Sequence, residues 1–314
     1  MSDVYQLVYE MIDAQYAVNT SMSLPSVANL KLRLNADTRV LERVYDNRKE
    51  IIKVLGMKQD PQLQSIIDYM TVRTRKSIYH LNQFVQLTGE DEIVLRRLYA
   101  RLVQESVRCL QSADGLDALR DSIAGVVASH SSMLVRHLTT MRDSDLIASL
   151  APRPVCAEYS PALQLRVLGL SRRLHTLKEP ILDMGCGKGG SLVFHLRSLG
   201  FEAVGIDRDV EESPYMMEAD WTSLPLGTRE WGTILSHMAF SNHFRHHHLR
   251  RDGRPEHYAR LYMRILEALD DGGSFFYAPD LPFMERLLPS QRYTVRRVLV
   301  DPYAGLYSTQ VTRQ

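Results

Sequence analysis

The sequence predicts an all-α domain followed by an α/β domain, on three observations. Over the first 150 residues, apolar side chains recur at the three- and four-residue spacing of helices, with no convincing strand. From Glu179 onward, short apolar runs alternate with helical stretches. Between these halves stands APRPVC, where Pro152 and Pro154 forbid a continuous helix and mark the boundary, giving domains 1-150 and 151-314.

Val4, Leu7, Val8, Met11 and Ile12 give a first helix from Val4 to Val18. The aperiodic NTSMSLPSVANL reads as a loop. Asn35 or Asp37 is then placed to cap a helix carrying Val40, Leu41, Val44, Ile51, Ile52 and Leu55 and stopping near Gly56. Pro61 suits a first helical turn, and the pattern that follows runs helically to Gly89. Asp91 and Glu92 open a further helix with a broad apolar stripe from Ile93 to Leu110. Ala113 to Leu150 is helical again, with a break expected near Gly125 or at Ser131 and Ser132. That makes five or six helices, whose interspersed charges read as solvated faces and whose Tyr and Met residues read as core.

After the boundary, Pro161 introduces an amphipathic helix, PALQLRVLGLSRRLHTL. Strands are expected at Ile181 to Met184, Ala203 to Ile206, Gly232 to Ser236 and Ser274 to Tyr277, with a helix from about Glu256 to Leu269 ended by DDGG. YTVRRVLVD and PYAGLYSTQVTRQ read as a terminal antiparallel hairpin.

Composition excludes several functions. Lysine plus arginine number 38 against 37 acids, so no global field draws in nucleic acid or an anionic membrane. Three cysteines, Cys109, Cys156 and Cys186, have no metal-ligand spacing and fit a reduced, cytoplasmic protein. The opening MSDVYQLVYEMIDAQ lacks the basic start and apolar core of a signal peptide, and no apolar run reaches membrane-spanning length.

The most informative stretch is ILDMGCGKGG, Ile181 to Gly190, followed by an apolar run ending in Asp207. Strand, glycine turn, helix start and acid about twenty residues on form the layout of a nucleoside-cofactor site. Gly185, Gly187 and Gly190 satisfy GxGxxG, so a nicotinamide or flavin dinucleotide must be weighed. Against it stands Asp183, whose charge would lie near a pyrophosphate, whereas a cofactor with a cationic end would welcome that charge.

LDMGCGKGG resembles the first motif of the class I S-adenosylmethionine-dependent methyltransferases, and the likeness runs from about Tyr159 to the C-terminus, final hairpin included. It implies a Rossmann-like seven-stranded methyltransferase sheet with a terminal antiparallel hairpin, and S-adenosyl-L-methionine as cofactor. Carried over residue by residue, it implies that Gly185, Gly187 and Gly189 admit the cofactor close to the backbone and that Asp183 lies near the methionine ammonium. Asp207 would accept the ribose hydroxyls and Asp220 the adenine amino group, with Trp221 as a wall for the ring. Only twelve residues separate Asp207 from Asp220, so the helix the family places there is expected to shrink to a turn.

In such a fold ligands gather beyond the carboxyl ends of the strands. The segment there after the fourth strand is SHMAFSNHFRHHHLRRDGRPEHY, Ser236 to Tyr258, rich in histidine and arginine. Ser236 opens it and is taken as a cofactor contact. Methyl transfer needs a nucleophile held behind the methyl group and deprotonated, for which His237 and His243 are the first candidates. A metal held by His243, His246, His247 and Asp252 is the weaker reading, because consecutive histidines diverge. The arginines suit a carboxylate or phosphate on the substrate. Tyr159 and Tyr258 offer aromatic faces near the sulfonium, and Asp280 and Phe283 stand at another strand end. SHMAF replaces the NPPY-type motif of amino-methyltransferases acting on base amines, which argues against a nucleic-acid target.

The expectation is an enzyme that methylates an oxygen or nitrogen of a small metabolite, its partners being that metabolite and a second copy through the helical half, which covers the cleft, forms the dimer surface, or does both. Two rivals stay open: transfer or cyclisation of the cofactor's aminocarboxypropyl arm with release of methylthioadenosine, and a cofactor-binding module without chemistry.

Overall fold

The computed structural model describes residues 3–20, 38–56, 61–81, 83–85, 87–140, 159–211, 213–222, 225–227, 229–251 and 253–314. The chain divides into two compact units, Met1–Val155 and Cys156–Gln314. The expected loop after the first helix, the caps at Asn35 or Asp37, Pro152, Pro154, Cys156 and Asp252 lie outside the described residues.

Six helices make up the described part of the first unit: α1 (Asp3–Thr20), α2 (Thr38–Asp46), α3 (Arg48–Leu55), α4 (Pro61–Leu81), α5 (Gly89–Ser112) and α6 (Leu116–Thr140). Their apolar stripes meet in three clusters. Val8, Ile66, Met70 and Tyr99 join α1, α4 and α5; Leu7, Ile51, Leu110 and Leu119 anchor α3 and α6; Ile78, Leu95 and Leu134 close the far end. Where one helix was expected, α2 and α3 are separate, because Asn47 leaves the helical path and its amide donates to the Arg43 carbonyl at 2.7 Å. Nor does α4 run to Gly89: the chain leaves it at Leu81 so that Val85 and Leu87 become buried and Thr88 takes the extended conformation of an N-cap. Thr88 and Asp91 then form a capping box that starts α5. The break expected in α6 does not occur; Gly125 stands in open space and Ser131 is buried within a continuous helix.

The second unit contains a seven-stranded sheet in the order β3-β2-β1-β4-β5-β7-β6. Its strands are β1 (Ile181–Met184), β2 (Ala203–Asp207), β3 (Met216–Glu218), β4 (Trp231–His237), β5 (Leu269–Ala278), β6 (Tyr293–Asp301) and β7 (Leu306–Arg313). The first five pair in parallel, and β7 enters antiparallel between β5 and β6. This is the mixed sheet with a terminal hairpin that the sequence implies. Its helices are α7 (Pro161–Val167), α8 (Ser191–Ser198), α9 (Phe240–His248), α10 (Pro255–Glu267) and α11 (Pro282–Glu285).

Period-two alternation along the strands supplies both faces of the sheet. Leu182, Met184, Ile234, Phe275 and Tyr277 face the cluster that contains Phe240 and Tyr262, whereas Ile181, Leu235 and Phe276 face the one that contains Leu192 and Leu196.

Three local outcomes depart from the sequence reading. α7 takes 7 of the 17 residues expected as helix, since Gly169 adopts φ +70 and builds a Schellman end: Leu170 N–H reaches Leu165 C=O at 2.7 Å and Gly169 N–H reaches Arg166 C=O at 3.0 Å. DDGG does not follow α10 as a stop but lies inside β5, where pairing jumps from Trp231↔Leu269 to Thr233↔Ser274 and the extra residues bulge. The third strand, too short to read from its pattern, is Met216–Glu218. Between it and β2 the described residues form no helix, as the short spacing implied.

Candidate functional site

Because β1 to β5 are parallel, their carboxyl ends share one edge of the sheet, which gathers the glycine turn, Asp207, the segment after β3, and His237. The turn leaves β1 with Gly185 at φ +83, Gly187 at φ +78 and Gly190 at φ +56, values that L side chains rarely adopt. The third left-handed glycine is thus Gly190 rather than Gly189. A Cβ on Gly185 would stand 2.4 Å from the Ala239 methyl and 2.7 Å from the Trp221 ring; one on Gly190 would strike the Met216 side chain at 2.3 Å. The indole of Trp221 therefore lies directly against the turn.

Asp207 ties the turn to β2. One carboxylate oxygen accepts the Gly187 N–H at 3.1 Å and the other accepts Asp209 N–H at 3.2 Å. Burial raises its pKa, against the lowering effect of these bonds.

Asp183 is different in kind. It is 1% exposed, and neither carboxylate oxygen has a hydrogen-bond partner among the described residues. Desolvation and then the Asp207 charge push its pKa up to about 7. An unpartnered carboxylate under a glycine turn is costly, and a cationic donor is the group that relieves it.

Beyond β3, Asp220 closes an Asx turn, accepting both the N–H and the hydroxyl of Thr222 at 2.8 Å. Arg264 of α10 donates to the Thr222 carbonyl at 3.2 Å and holds this turn against the helix. Trp221, half-buried, meets His243 edge to face with centroids 5.4 Å apart.

Ser236 is fully buried, and its hydroxyl is engaged in the scaffold: it donates to Met184 C=O at 2.8 Å and accepts Phe240 N–H at 3.0 Å. It locks the ends of β1 and β4 together and starts α9. His237, the last residue of β4, packs against the edge of Tyr159 at 5.0 Å. The Tyr159 carbonyl in turn accepts from Gln164 at 2.8 Å and Ser191 at 3.1 Å, which fixes it to α7 and α8. Burial lowers the His237 pKa to about 4.

The histidine segment is a helix rather than a loop. Four-residue spacing turns His243 and His247 inward, where both are buried, while His248 lies exposed and flat on Phe283 at 3.7 Å. His243 sits between Trp221 and Tyr258, whose hydroxyl is 3.5 Å from Nδ1, and desolvation lowers its pKa well below the ordinary value. Tyr258, the second aromatic face proposed for the sulfonium, is itself core, stacked on His247 at 4.8 Å. Among the described residues no group of three or more His, Cys, Asp or Glu side chains is placed to hold a metal ion, and no helix is long and apolar enough to cross a membrane.

Asp280 is ion-paired with Arg297, and Phe283 packs edge-on against Phe244 at 5.1 Å. The hub at that strand end is a residue the sequence did not single out. Buried Glu285 accepts from Tyr277 Oη at 2.8 Å, Leu281 N–H at 2.7 Å and Thr309 Oγ1 at 2.8 Å. Its only signal was the second of two acids in APDLPFMERLL, which is indistinguishable from a surface charge.

The second unit has the class I methyltransferase fold, by its strand order and reversed final strand. It is similar to the 1,6-didemethyltoxoflavin N1-methyltransferase of Burkholderia thailandensis, 20% identical over 49% of this chain and 76% of that one, with a TM-score of 0.32. A TehB-like S-adenosylmethionine-dependent methyltransferase of Corynebacterium glutamicum is 14% identical over 59% and 97% of the respective chains, with a TM-score of 0.34. No family model matches the chain, and no curated protein is similar to it.

Proposed function

We propose that this chain is an S-adenosylmethionine-dependent methyltransferase acting on a small metabolite. The observation that carries this reading is Asp183: a buried, unpartnered carboxylate at the end of β1, directly before a turn of left-handed glycines. A dinucleotide would bring phosphate charge to that place; an ammonium satisfies it. Asp207, fixed by two backbone N–H groups, is held ready for ribose hydroxyls, and Asp220 and Trp221 for the adenine. When bound, the cofactor supplies an electrophilic methyl group on a sulfonium.

What the chain does to the acceptor follows from its histidines. With a pKa near 4, His237 is neutral across the physiological range and is a weak base. It suits orientation of an acceptor that is nucleophilic before losing a proton, so a neutral amine nitrogen is favoured over an unactivated hydroxyl. His243, enclosed by Trp221 and Tyr258, serves as a positioning residue for the indole rather than as the base. The arginines of Arg245 to Arg254 remain the candidates for a substrate carboxylate or phosphate, and the helical unit for covering the cleft or pairing two copies.

Incubation with S-adenosylmethionine and candidate amines, followed by mass spectrometry, tests the reading. S-adenosylhomocysteine with a methylated amine supports it. Methylthioadenosine instead means arm transfer, and failure to bind either S-adenosylmethionine or S-adenosylhomocysteine removes the cofactor assignment.

A further inference from the structure

The group not yet accounted for is His257. It lies in the first turn of α10, half-buried, and its Nε2 is a buried nitrogen with no hydrogen-bond partner among the described residues. Seven residues on, and so on the same face two turns later, Arg264 donates to the Thr222 carbonyl. The face of α10 that carries His257 is therefore the face applied to the Asp220–Thr222 turn. Asp220 is close enough for its charge to act on His257, while desolvation first, and then Arg254, disfavour the imidazolium. The imidazole, its charged form disfavoured by burial, and the Asp220 carboxylate are thus brought to the same turn, the one that carries Trp221.

That pair has the chemistry of the adenine edge. Adenine presents an amino group that donates and ring nitrogens that accept. A carboxylate complements the first, and a neutral imidazole N–H complements the second. We propose that His257 Nε2 is a second base-recognising group of this site, donating to adenine N1, the ring nitrogen next to the amino-bearing carbon, while Asp220 accepts from the amino group. The proposal rests on the cofactor reading above and adds to it the group that distinguishes adenine from other purines. Hypoxanthine carries a carbonyl in place of the amino group and an N–H at the adjacent ring position, so it offers neither partner correctly.

Calorimetric binding of S-adenosylhomocysteine, adenosine and S-inosylhomocysteine to the full chain, without turnover, tests it. His257→Phe should weaken the first two ligands equally, by about three- to tenfold, the value of one neutral hydrogen bond, and leave S-inosylhomocysteine unchanged. His257→Gln, which restores a donor, should recover part of the loss, and circular dichroism should show both variants folded. Unchanged S-adenosylhomocysteine affinity in both variants overturns the proposal, as does a loss confined to S-adenosylhomocysteine and absent for adenosine, which would place His257 at the amino-acid end. If the wild-type chain binds neither adenosine nor S-adenosylhomocysteine, the cofactor reading itself falls, an outcome distinct from the other two.

Discussion

The Asp207 carboxylate accepts the Gly187 N–H at 3.1 Å, joining the end of β2 to the middle of the turn that follows β1. One side chain therefore both shapes the turn and, on the proposed reading, holds the ribose. Asp207→Ala should weaken S-adenosylhomocysteine binding severely, by a hundredfold or more on the order expected for a charged hydrogen-bond partner. Asp207→Asn should fall between, because an amide oxygen still accepts the Gly187 N–H. Calorimetric affinity unchanged in the alanine variant removes Asp207 from the site.

Asp183 makes the affinity depend on pH. Its pKa of about 7 lies above the ordinary carboxylate value, so below pH 7 the unliganded protein carries the protonated acid and has lost the charge that attracts an ammonium. Affinity for S-adenosylhomocysteine should fall by up to roughly tenfold per unit as pH drops below 7, until the bound-state pKa is reached. Adenosine, which lacks the ammonium, should show no such slope. In Asp183→Asn the slope should vanish; persistence of it assigns the titration to another group.

The buried histidines give stability its own dependence. His237 is lowered from 6.5 to about 4, so between those values the unfolded chain binds the proton and the folded one does not. Stability is then complete above pH 6.5 and is lost as pH falls toward 4. Asp183, whose pKa is raised, runs the opposite way between its ordinary value and about 7, so the total curve mixes both. The difference between the wild type and His237→Asn isolates the histidine: it should change by about 2 kcal/mol between pH 7.5 and pH 5 in urea denaturation. A pH-independent difference means that the imidazole takes up its proton as readily in the folded chain as in the unfolded one.

Glu285 binds three donors on β5, α11 and β7, so removing its carboxylate leaves those groups buried without an acceptor. Glu285→Ala should cost about 3 kcal/mol, whereas Tyr277→Phe, which removes one donor, should cost nearer 1 kcal/mol. Equal losses in chemical denaturation would show that the hub does not act as one network.

The sequence made the chemistry of the turn legible because glycines and acids there answer to backbone geometry and charge, both of which are local. Asp183, Asp207 and Trp221 stand together for that reason, and the short Asp207 to Asp220 spacing reported the missing helix directly. What escaped depends on distant neighbours. Gly190 matters through Met216 and Ser236 through Met184 and Phe240; Glu285 matters through Thr309 on the last strand. Asn47 and Gly169 ended helices whose apolar spacing alone continued, since periodicity registers burial and not the local bonds that stop a helix. The histidine segment stayed ambiguous for a related reason: its composition names neither a base nor a wall, whereas the four-residue spacing of His243 and His247 in α9 places both imidazoles in the core.

His243 decides between a base and a wall. Its ring is buried at Trp221, 5.4 Å between centroids, and its Nδ1 stands 3.5 Å from the Tyr258 hydroxyl. His243→Phe keeps a planar ring in that place while removing both nitrogens. If the ring only supports the indole, this variant should retain S-adenosylhomocysteine affinity and kcat within about threefold. His243→Ala, by contrast, should lose about 2 to 4 kcal/mol of stability through the cavity and shift the fluorescence of Trp221. A kcat in the phenylalanine variant reduced by 10²-fold or more, with affinity and stability intact, would return His243 to the role of general base.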